Sequence, residues 1–144
     1  MSHTRFLFHI VFATKDRFPL IDSRWESELY KYITGIVRNL KGRVIEINGM
    51  PDHIHILLSL DPCDFPALMR DLKASSSRWA KQHHPKFSWQ RRYGAFTVSE
   101  SAVEAVRDYI RRQKDHHMDR SFEQEYISIL RKHNVEFDER YLWD

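Results

Sequence analysis

The sequence predicts an α+β fold, a ferredoxin-like (RRM-like) split βαβ sandwich: an antiparallel sheet with two packed helices, followed by further C-terminal helices. Three observations carry this. Apolar periodicity alternates between strand and helix periods in the order β-α-β-β-α-β. One run, His53-Ile54-His55-Ile56-Leu57-Leu58, reads as a buried strand entered through the turn Asn48-Gly49-Met50-Pro51-Asp52. Finally, 144 residues that are 42% hydrophobic and 13% aromatic suffice for one well-packed core, and four glycines and five prolines leave little for linkers. The expectation is one domain over residues 1–144.

The first strand is Phe6 to Ala13, with Phe6, Phe8, Ile10 and Phe12 on one face and Leu7, His9 and Val11 on the other. A helix follows from about Arg24 to Leu40. Ser23 and Glu26 have capping-box spacing, and Trp25, Leu29, Tyr32, Ile33, Ile36, Val37 and Leu40 make one apolar stripe. Arg43 to Ile47 is the second strand, paired antiparallel with the His-Ile-His strand. The second helix begins after Asp64, with Pro66 in its first turn, and buries Phe65, Leu68, Met69, Leu72 and Trp79. The fourth strand spans Arg91 to Val98. Two helices remain. One starts at Ser101, spaced with Glu104 as a capping box, and reaches about His116. The other starts at Ser121, capped with Gln124, and turns Phe122, Tyr126, Ile129 and Leu130 inward. The aromatic tail Tyr141-Leu142-Trp143 is expected to pack back on the body or on a partner chain.

Composition narrows the function. No stretch is long and apolar enough to span a membrane, and no signal-peptide pattern opens the chain, so a cytoplasmic protein is expected. The single cysteine, Cys63, excludes an intramolecular disulfide and a cysteine-based zinc cluster. Net charge is +3, and the pI of about 9.1 makes nucleic acid a plausible partner.

The residues that can do chemistry lie on two elements. His53 and His55 emerge from the same face of one strand, the start of a divalent-metal site, although two satisfied histidines would give the same pattern. On the third helix Tyr109 and Gln113 lie at i and i+4, with His116 and His117 after them. Lys73, Arg78 and Lys81 give the second helix a basic face, and Arg91 and Arg92 open the fourth-strand region; these five are the candidate phosphate contacts. Trp89 and Tyr93 are either stacking surfaces for bases or core.

Four segments together resemble a known family. Phe8-His9-Ile10-Val11-Phe12-Ala13-Thr14-Lys15, Met50-Pro51-Asp52-His53-Ile54-His55, Trp89 to Ser99, and Val106-Arg107-Asp108-Tyr109-Ile110-Arg111-Arg112-Gln113 resemble, in order, segments of the single-tyrosine HUH transposases of small bacterial insertion sequences and the related REP-associated tyrosine transposases. The resemblance implies that Tyr109 is the nucleophile and that His53, His55 and Gln113 hold Mg²⁺ or Mn²⁺. It implies cleavage and rejoining of single-stranded DNA through a 5′-phosphotyrosine, recognition of hairpins at element ends, and a homodimer in which Tyr109 can complete the partner's site. Glutamine at position 113, where two-tyrosine relatives carry a second tyrosine, favours the single-tyrosine class. His9, His116 and His117 read as supports or phosphate contacts beside the site. Three rivals stay open: a domesticated or replicative nickase, a non-catalytic RRM-like nucleic-acid-binding module, and a metal-dependent hydrolase in which Tyr109 is structural.

Overall fold

The structure, a computed structural model, describes residues 2–116 and 120–143, with His116 described by its backbone alone. His117 and the His116 side chain, both singled out in the sequence, lie outside the described part. The elements are β1 (Phe6–Ala13), α1 (Glu26–Asn39), β2 (Gly42–Met50), β3 (His53–Leu60), α2 (Phe65–Ala80), β4 (Gly94–Thr97), α3 (Val103–Arg111), α4 (Gln113–His116) and α5 (Phe122–Lys132). The four strands form an antiparallel sheet in the order β2-β3-β1-β4, the arrangement expected of a split βαβ unit.

Strand alternation sorts the sheet into two faces. Ile10, Phe12, Ile54, Ile56 and Leu58 point one way and pack with Leu29, Ile33 and Val37 of α1 and Leu68, Met69 and Leu72 of α2. Burying each such side chain contributes about 1.5–3 kcal/mol. His9, Val11, His53, His55 and Leu57 point the other way, under α3, α4 and α5. Trp89 joins the first core between Phe12 and Phe87, its Nε1 donating to Ser76 Oγ at 2.9 Å; Tyr93 is half-buried on Phe65. The tail returns to the body, with Trp143 against Phe122 and Tyr126 and the Arg17 guanidinium 4.8 Å above its ring.

Several boundaries differ from the sequence reading. α1 has no Ser23 cap: Trp25 is the N-cap residue without a side-chain bond, while the Asp22 carboxylate accepts from the Arg24 N–H at 2.8 Å. Burial of Trp25 against Phe87 and Trp79 sets the helix start beyond Ser23. β2 runs on to Met50, leaving Pro51–Asp52 as the turn. Only glycine fits at position 49, because a Cβ there would stand 2.2 Å from the His53 carbonyl oxygen. β4 is shorter than expected: the Lys73 ammonium takes the carbonyls of Gln90 and Arg91, which a ladder would otherwise use. Ser101 caps nothing. It sits in a 3₁₀ turn, its hydroxyl 3.1 Å from that of Ser99. The caps at Asp64 and Ser121 form as expected, the latter a full capping box with Gln124.

The largest difference lies after Tyr109, where the expected single helix breaks at Arg112 (φ −96°, ψ 21°). Asn48 of β2 causes the break, its side-chain amide donating to the carbonyls of Ile110 at 3.1 Å and Arg111 at 2.9 Å. Those oxygens would otherwise accept from the next helical turn. Lys114 fixes the restart through Gly49 O (2.6 Å) and Glu26 (2.9 Å). Among the described residues no helix is long and apolar enough to cross a membrane.

Candidate active site

β3 presents His53 and His55 on the face opposite its apolar residues, and both are fully buried. Each is held through its Nδ1. His53 Nδ1 donates to Asp52 Oδ1 at 2.7 Å, and His55 Nδ1 lies 2.8 Å from Nε2 of His9 on the neighbouring β1. Burial, reinforced by the neighbouring His55, pushes the pKa of His9 down to about 3, so its ring is neutral. These bonds aim both Nε2 atoms at the same point.

At that point is Glu125 of α5, also fully buried. Its Oε1 lies 3.0 Å from His55 Nε2 and 3.2 Å from His53 Nε2. Its Oε2 accepts from the Tyr109 hydroxyl and from Gln113 Nε2, the latter at 2.8 Å. Gln113, turned inward by the break before α4, places Oε1 3.2 Å from His53 Nε2. The structure therefore brings together all four residues expected at the site, and adds Glu125, Asp52 and His9. Glu125 was legible in principle: it falls three residues after Phe122 and four before Ile129, on the inward stripe of α5, where an acidic side chain calls for a partner.

Burial opposes a charge on His53, but the bonds to Asp52 and Glu125 outweigh it, and its pKa stands above the ordinary imidazole value. Burial also pushes the Tyr109 phenol well up. The Glu125 charge and hydrogen bond add to this, and Arg120, donating to the phenol oxygen at 3.3 Å, offsets part of it.

The donor set fits a divalent cation. One ligand atom from each of His53, His55 and Glu125 lies within 4.8 Å of the others. The 3.0 and 3.2 Å separations match the roughly 3 Å between neighbouring ligands of an octahedral ion with bonds of about 2.1 Å. The Asp52–His53 bond is the support that metal-bound imidazoles commonly have. The buried group can thus hold a metal ion.

The profile of the family described as Transposase IS200 like matches residues 2–113. The chain belongs to this family. A curated relative, the ISDra2 transposase TnpA of Deinococcus radiodurans, is 27% identical over 117 residues, covering 75% of this chain and 84% of that protein. Two solved structures share the fold. One, described as a transposase from Deinococcus radiodurans R1, has a TM-score of 0.64 at 24% identity, covering 78% of this chain and 93% of that one. The other, a REP-associated tyrosine transposase bound to a REP hairpin, has a TM-score of 0.63 at 17% identity, covering 81% and 74%.

In this IS200-like transposase the five basic candidates are not gathered at the histidines. Lys73, Arg78 and Lys81 lie on α2, which covers the apolar face of the sheet. Lys73 is half-buried, and burial lowers its pKa to about 8. Lys81 donates to Phe87 O at 2.7 Å, and exposed Arg78 donates to Ser75 Oγ at 3.3 Å. Arg91 and Arg92 are exposed in the loop that Lys73 secures before β4.

Proposed function

We propose that this protein cleaves and rejoins single-stranded DNA, using Tyr109 as the nucleophile, and that it recognises hairpins. One observation carries the proposal: the Tyr109 hydroxyl and the two histidine Nε2 atoms converge on one buried carboxylate, Glu125. A hydroxyl so close to a metal-competent cluster suits attack on a phosphate. Family membership supports transposition, and the hairpin held by the REP-associated structural relative supports the same class of ligand here.

In the proposed reaction the Tyr109 oxygen bonds to phosphorus as the P–O3′ bond breaks. A 5′-phosphotyrosine results, and the departing 3′ oxygen takes a proton from water to leave as a free 3′-hydroxyl. Glu125 Oε2, which already accepts the phenol hydrogen bond, takes the proton. In the reverse step the 3′-hydroxyl of another strand gives its proton to water as it bonds to phosphorus, the bond to the Tyr109 oxygen breaks, and Glu125 returns the phenol proton to Tyr109. Burial and the Glu125 charge favour the protonated phenol, so attack needs the proton acceptor that Glu125 supplies. His53, His55 and Gln113, with Glu125 as a fourth, would hold Mg²⁺ or Mn²⁺, which when bound supplies Lewis-acid charge for the scissile phosphate. Exposed Arg91, Arg92, Arg78 and Lys81 suit phosphate contacts, whereas Lys73 acts through the loop it secures. Tyr109 lying over the histidines of its own chain supports a site complete within one chain. The resemblance supports a homodimer, which light scattering would detect.

The test is incubation with labelled single-stranded DNA from the flanks of its own gene, in Mn²⁺ or EDTA, resolved on a denaturing gel. The expected result is a metal-dependent covalent band that is lost in Tyr109→Phe. Cutting without an adduct, or an adduct surviving Tyr109→Phe, would overturn the proposal.

A further inference from the structure

A cavity of about 340 Å³ opens between α3 and α5, beside Tyr109. His9 and Tyr109 line it whereas His53, His55, Gln113 and Glu125 do not, so it adjoins the metal-competent cluster and meets it through those two side chains. Its walls combine two chemistries. Ala105 and Ile129 make an apolar floor, and the small side chain at 105, one turn before Tyr109, leaves the space open. Arg120 and Lys132 bring positive charge, and the His133 ring lies flat on Phe96 with centroids 4.6 Å apart. An apolar floor, an aromatic plane and two cations suit a nucleotide, whose base stacks and whose phosphate pairs with a cation.

We propose that this cavity receives the nucleoside that stays bonded to Tyr109 through its 5′ phosphate, a specificity site that rests on the function proposed above. The stereochemistry selects that nucleoside over its neighbour. In-line displacement puts the attacking phenol oxygen and the departing 3′ oxygen on opposite sides of phosphorus. The departing nucleoside is therefore directed away from α3. The retained nucleoside hangs from a lateral oxygen, beside the tyrosine, where the cavity opens. Arg120, already donating to the Tyr109 oxygen, lines the same cavity and links the two sites.

The test measures adduct formation by the full chain in Mn²⁺ on the flanking DNA strand, intact or with an abasic site at the nucleotide retained on Tyr109. Ala105 is exposed, so Ala105→Leu fills the cavity without entering the core. On the intact strand Ala105→Leu slows adduct formation roughly tenfold, as does the abasic site with the unaltered protein. Combined, the two changes cost no more than either alone, because both remove the same contact. Equal rates for the two proteins on the intact strand would overturn the inference. So would losses that multiply when combined, which would mean that the substitution damages the protein elsewhere. Ala102→Leu, on the same wall, repeats the test in case position 105 does not tolerate the larger side chain. No adduct on any strand would overturn the proposed function itself, and this inference with it.

Discussion

On one face of the sheet, Ile10, Phe12, Ile54, Ile56 and Leu58 meet α1 and α2 mainly through apolar contacts. On the other face, among smaller apolar clusters, His53 and His55 reach α4 and α5 through Gln113 and Glu125, and His9 supports His55 from β1. Apolar contacts are non-directional, so the first face needs only the right pattern and volume. The polar face needs distances and angles that elements from distant parts of the sequence must satisfy together. The difference teaches that stability comes mostly from one side of this sheet and chemistry from the other, with β1 and β3 serving both.

Four experiments break or sharpen that division, in order of expected effect. Ile56→Ala, a truncation wholly on the apolar face, should cost about 2–5 kcal/mol in urea unfolding while leaving Mn²⁺ affinity of the folded protein unchanged. Glu125→Gln, on the polar face, should weaken Mn²⁺ binding by about 10–100-fold in titration calorimetry, with a smaller change in stability. Comparable losses of stability from both substitutions would end the division. Asn48→Ala removes the amide that stops α3 and should cost about 1 kcal/mol by the same urea assay. It should also weaken Mn²⁺ binding, because Gln113 loses the turn that aims it inward.

The smallest effect is a pH dependence at Lys73. Burial holds its folded pKa near 8, against an ordinary value of 10.5, so the folded chain loses this proton first. Between those two values the unfolded chain binds more protons, and stability rises with pH. The melting temperature of the unaltered protein should therefore gain on that of Lys73→Met as the buffer is taken from about pH 7 to about pH 10. A gap that stays constant or reverses would show that burial does not govern this lysine.

The same division explains what could be read from the sequence. The alternation in β1 and β3, the stripes of α1 and α2, and the caps at Asp64 and Ser121 are local patterns, and each formed, save that Tyr32 of the α1 stripe is exposed. The histidine pair was local too, since one strand carries both members. Tyr109 and Gln113 do meet, at Glu125, but not by the route their spacing suggests. The sequence puts them on one uninterrupted helical face, whereas Asn48, some sixty residues away, ends that helix and turns the glutamine inward. Nothing near Gln113 encodes the break. Glu125 was hidden differently: with Glu123 and Gln124 it looks like ordinary acidic and capping residues at a helix start, and only its position on the inward stripe sets it apart.

The hairpin of β2 and β3 joins two functions that need not have been joined. Asn48 pairs with His55 and Met50 with His53, so the strand that ends α3 is zipped to the strand that carries the histidines. A slip of one residue by β3 would turn both histidines into the apolar layer and shift Asn48 out of step with them. No half-right version of the hairpin retains one without the other. For a protein proposed to break single-stranded DNA, this acts as an interlock: a misfolded copy is not a careless cutter but an inert one.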